Sequence, residues 1–70
     1  MSDADIEIRN AVEYLAKEGL ELTVDSVQKY LAEKSELFRS KGITKVPAGW
    51  IEPAIAEMGG PWPAYHGIQS

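Results

Sequence analysis

An all-α domain of three helices is predicted by three features of the sequence. Apolar residues recur at three- and four-residue spacing in three separate segments. Gly19 and Thr23 punctuate the join between the first two. Pro47 and Gly59-Gly60 bracket the third. A chain of 70 residues holds one small domain, here residues 1–70, and its 44% hydrophobic content is ordinary for a globular one. A core of that size supplies only about 3–5 kcal/mol of net stability.

The first helix is expected over Asp3 to Glu18. Ile8, Ala11 or Val12, Leu15 and Ala16 give one apolar stripe, with Ile6 and Tyr14 off it. Asp3, Asp5 and Glu7 suit the positive end of its dipole. The second helix follows Thr23, over residues 24–34, with Val24, Val27, Tyr30 and Leu31 as its stripe. A break near Lys34-Ser35 lets Ser35 cap a further turn that carries Leu37 and Phe38 into the core. Ile43 and Val46 form a loop or brief strand. They and the Trp62–Ile68 tail are candidates for a short two-stranded wing.

The third helix is expected over 50–58, within Pro47 to Met58. Trp50, Ile51, Ala54, Ile55 and Met58 repeat at helical spacing. Pro53 interrupts that pattern at a cost of about 3 kcal/mol in a helix interior. Either the helix starts near Glu52-Pro53 or it is kinked. Residues 60–70 are read as an extended tail.

The close pair of the first two helices is the scaffold of helix-turn-helix domains and of many protein-binding domains. Residues 8–31, with Ala11, Leu15, Gly19, Thr23-Val24, Val27 and Leu31, resemble the opening of the plasmid KfrA-type N-terminal DNA-binding domain. The likeness covers about a third of the chain. It implies a helix-turn-helix core and a role in gene control. The family continues with a Gly-Ser turn, a Thr-rich recognition helix and a coiled coil. Here Ala32-Glu33-Lys34-Ser35-Glu36-Leu37-Phe38 follows. The resemblance therefore assigns no base-contacting residue.

Charge is unevenly spread. Residues 1–34 carry eight acids against four bases, whereas residues 35–70 carry three of each. Net charge is −4, so the whole-molecule field opposes nucleic acid, and only a local patch favours it. That patch is Lys34, Arg39, Lys41 and Lys45. With Ser40 and Thr44 it offers the donor types that phosphates accept from. The third helix is a poor base reader, since Glu52 and Glu57 are its main polar side chains.

No catalytic set is visible. The single histidine, His66, stands in a Gly- and Pro-rich tail, there is no cysteine, and Glu52 and Glu57 do not share a helix face. No metal-ligand spacing or phosphate-cradling glycine loop occurs, so neither metal nor cofactor is expected. No apolar run approaches the ~18 residues of a membrane span. The polar, acidic N-terminus is unlike a signal peptide. Together with the lack of cysteine, this predicts a cytoplasmic protein, from a bacterial cell or its phages and plasmids.

Two tryptophans in so short a chain need a role. Trp50 is assigned to the core, whereas Trp62 and Tyr65 are either core or contact anchors. Two functions follow. The first is a DNA-binding regulator using Lys34, Arg39, Ser40, Lys41, Thr44 and Lys45 on double-stranded DNA, as a homodimer because one small reader binds weakly. The second is an acidic helical adaptor or inhibitor that binds another protein through its first helix and Trp62, Tyr65 and His66.

Overall fold

Asp3 and Asp5 stand in the first turn of α1 (Asp3–Lys17) and Lys17 in its last, each matched to the helix dipole there. In the computed structural model, which describes residues 3–63, α2 (Val24–Lys34), α3 (Glu36–Ser40) and α4 (Ala48–Glu57) follow. The fold is all-α, with three long helices and one short one, and the described residues contain no named strand. No helix among them is long and apolar enough to cross a membrane.

The α1–α2 join is built from local rules. Gly19 takes φ +71°, the left-handed region that side chains disfavour. Its amide bonds the Ala16 carbonyl at 3.2 Å and the Leu20 amide bonds the Leu15 carbonyl at 3.0 Å. Those two bonds satisfy carbonyls that the helix end would otherwise leave open. Thr23 then starts α2. Its Oγ1 accepts from the Ser26 amide at 3.1 Å, while Ser26 Oγ accepts from the Thr23 amide at 2.9 Å. This reciprocal cap uses serine where glutamate is commoner.

Ser35 divides α2 from α3 as its position in the sequence predicts. Its amide closes α2 on the Leu31 carbonyl at 3.0 Å, and its Oγ accepts from the Phe38 amide at 3.3 Å. The hydroxyl donates to Glu7 Oε1 on α1 at 2.7 Å. Ser35 is only 4% exposed, so these bonds keep a buried polar group satisfied.

α1 packs on α2 and α4, and α2 also packs on α3 and α4. The core takes Ile8, Ala11, Val12 and Leu15 from α1 and Val27 and Leu31 from α2. Phe38 of α3 and Ile51, Ala54 and Ile55 of α4 complete its helical part. Leu22 from the turn and Val46 from the α3–α4 segment are buried with them. Ile6 and Tyr14 stay outside, Tyr14 resting against the Tyr30 ring at a 5.1 Å centroid separation.

Three expectations need correction. The wing does not form at Ile43–Val46, which is irregular chain. Val46 is buried there because its amide finds Gln28 Oε1 at 3.0 Å, a side-chain partner instead of a neighbouring strand. The Trp62 arm pairs elsewhere: Trp62 and Leu22 exchange two backbone bonds, 2.9 and 3.1 Å, in an isolated antiparallel bridge. The rest of that arm lies outside the described residues. α4 begins at Ala48, with Pro47 as its N-cap, and runs through Pro53. The proline ring removes the amide that would reach the Gly49 carbonyl. Trp50 is not core: it is 53% exposed, and Met58 is exposed too.

Candidate functional site

Trp50 projects from α4 because Ile51, Ala54 and Ile55 already fill the face that meets α1 and α2. A helix only ten residues long buries a narrow stripe, and Trp50 falls on its edge. Beside the indole, an open groove runs between α4 and α1. α1 supplies Asp5, Ile8 and Arg9, and α4 supplies Gly49, Trp50, Pro53 and Ala54.

The groove's shape follows from these residue types. Gly49 has no side chain, and a Cβ there would meet nothing within 4 Å, so this wall stays low. Pro53 and Ala54 are short, leaving the indole standing above them. At one end Arg9 Nη1 and Nη2 donate to Glu57 Oε1 and Oε2 at 2.8 and 3.1 Å. This bidentate pair ties α1 to α4, with both side chains about half exposed. An apolar surface flanked by fixed charge is suited to holding another chain.

Trp62 takes the opposite role from Trp50. It is partly buried and packs on the core. Its indole Nε1 donates to the Leu20 carbonyl at 3.1 Å. Of the two roles the sequence leaves open for it, the Leu22 bridge favours packing, since it draws Trp62 down onto the α1–α2 turn. Tyr65 and His66, the other two residues expected at a contact surface, lie outside the described residues.

The basic set is exposed but divided. Lys34 ends α2, Arg39 and Ser40 belong to α3, and Lys41 caps it. Arg39 and Ser40 border a shallow depression with Glu36. Thr44 and Lys45 border another with Asp25, Gln28 and Lys29. The Ser40 hydroxyl donates to the Leu37 carbonyl at 3.0 Å. Lys34, Arg39, Lys41 and Lys45 make no ion pair among the described residues.

Sequence reasoning missed Asp5, Arg9, Gly49 and Pro53 as neighbours, since nearly fifty positions separate the helices that bring them together. The available signal was the small-residue spacing in Ala48-Gly49-Trp50 and Pro53-Ala54, which leaves a bulky ring next to low walls. No protein-family model matches the chain, and no curated protein or solved structure is similar to it.

Proposed function

We propose that this chain is a small helical adaptor or inhibitor that binds another protein through Trp50 and the α1–α4 groove. The exposure of Trp50 supports this reading above all. Tryptophan is the residue most enriched among energetic anchors of protein interfaces, and here it stands beside an apolar groove. α4, the helix that a DNA-binding reading would set against the bases, has no lysine or arginine. A reducing cytoplasm suits a chain with no cysteine, and an origin in phage or plasmid biology is part of the same proposal.

Selection from a displayed library of random peptides tests the reading. Peptides that bind the full chain and lose binding to both Trp50→Ala and Gly49→Leu support it. A library that yields no such peptide removes it.

A second reading is a homodimeric regulator of double-stranded DNA. Its support is the exposed quartet Lys34, Arg39, Lys41 and Lys45, none of them in an ion pair among the described residues. Titration of random duplex DNA at low and moderate salt tests it. Salt-sensitive binding that weakens in Arg39→Ala and Lys41→Ala supports this reading, and no binding at low salt discards it.

A further inference from the structure

We infer that the Pro61-Trp62-Pro63 arm is a strap that opens while α1 to α4 stay folded, and that Gly60 is the residue that seats it. Opening bares Leu22, which is fully buried when the strap is closed. The Trp50 groove is lined by residues 5–9 of α1 and 49–54 of α4, whereas the strap closes on residues 20 and 22. The strap is therefore a second device, separate from the groove.

The pairing that holds the strap is short. Leu22 and Trp62 meet in one isolated rung. The rung cannot lengthen toward α2, because Val24 opens that helix and the Gly60 amide already bonds the Ile55 carbonyl at 3.1 Å. Even a two-stranded hairpin is only marginally stable in water. Pro61 and Pro63 are exposed and have no amide with which to recruit a further strand.

The helices are joined without it. α1, α2 and α4 pack on one another directly, and each buries its own apolar stripe. Ser35 ties α2 and α3 to α1. Trp62 joins that core only as a partly buried ring. A segment with little buried apolar surface opens below the free energy of global unfolding.

Gly60 sets the closed position. A Cβ there would stand 2.9 Å from Ile55 Cγ2 and 3.0 Å from Leu22 Cδ2, so the bare backbone lies directly on both side chains. Both are buried, and Ile55 Cγ2 is held at a branched β-carbon with little rotamer freedom. Unlike Gly19, Gly42 and Gly59, Gly60 takes no positive φ. Alanine at 60 is thus opposed by crowding and not by backbone conformation. The added methyl lifts the chain two residues before Trp62, and the rung to Leu22 gives way.

Amide hydrogen exchange of the full chain, followed by nuclear magnetic resonance at zero and low urea, tests the inference. Relative to unfolded-chain rates, the Leu22 and Trp62 amides are expected to exchange about tenfold or more faster than those of Val12 and Leu31. Their urea dependence should be weaker, because strap opening exposes little surface. In Gly60→Ala the Leu22 and Trp62 amides should lose protection, while Val12 and Leu31 keep theirs and circular dichroism stays helical. In a Trp50→Phe background the same change should turn Trp62 emission red and readily quenched. Trp62→Ala, which adds no crowding, should deprotect Leu22 in the same way.

Equal protection and equal urea dependence at all four wild-type amides would make the strap part of the global unit and overturn the inference. Loss of helicity in both Gly60→Ala and Trp62→Ala overturns it too, since the helices would then depend on the strap. Unchanged exchange at Leu22 and Trp62 in Gly60→Ala removes the role given to Gly60.

Discussion

The Ser35 hydroxyl donates to the Glu7 carboxylate across 2.7 Å, joining the α2–α3 corner to α1. The same oxygen caps α3 and the Ser35 amide closes α2, so one buried residue ties three helices together. Ser35→Ala is expected to lower stability by about 2–4 kcal/mol, the sum of a lost cap and a lost bond to a charged group. Glu7→Gln keeps an acceptor and should cost less. Urea unfolding of both and of the double variant measures the coupling, and additive losses would deny that the pair interacts.

Two glycines should respond with opposite signs. Gly19→Ala puts a Cβ into a left-handed residue and is expected to cost about 1–2 kcal/mol. Gly49 sits inside α4 with open space around it. Gly49→Ala is expected to stabilise by about 0.5 kcal/mol through helix propensity and a less free unfolded chain. Thermal melts followed by circular dichroism compare the pair directly. A loss in both would remove the distinction.

The tryptophans should separate in the same way. Trp62→Ala strips a partly buried ring and the bond to Leu20, with an expected loss of about 2 kcal/mol, below the range for full burial. Trp50→Ala should change stability by about 0.5 kcal/mol or less. Emission from Trp62→Phe reports Trp50 alone and should be red and readily quenched by acrylamide. Emission from Trp50→Phe should be bluer and better shielded. Equal quenching in the two variants would contradict the assignment.

Arg9 and Glu57 form a bidentate pair in water, and such pairs contribute little. A double-mutant cycle with Arg9→Ala and Glu57→Ala is expected to give about 0.2–1 kcal/mol, falling as salt is added. A larger, salt-insensitive coupling would mean that the pair is less solvated than its exposure indicates.

How far the sequence announces this structure depends on distance along the chain. Gly19, Thr23 and Ser35 act on neighbours a few positions away, so the breaks at both joins are legible from residue type. The apolar stripes of α1 and α2 are legible for the same reason. Leu22 is different. It stands in a turn without periodicity, and its burial depends on Trp62 returning to it from the far end of the described chain. The places of Trp50 and Trp62 have the same cause: which ring a small core admits is set by where the backbone brings each one. The α1–α4 groove is still less visible, because it belongs to neither helix alone.

The Trp62 indole reaches a carbonyl forty-two positions earlier. During synthesis, then, this latch can close only after nearly all the described chain has left the ribosome. Trp62, made late, latches a turn that was among the first parts to emerge.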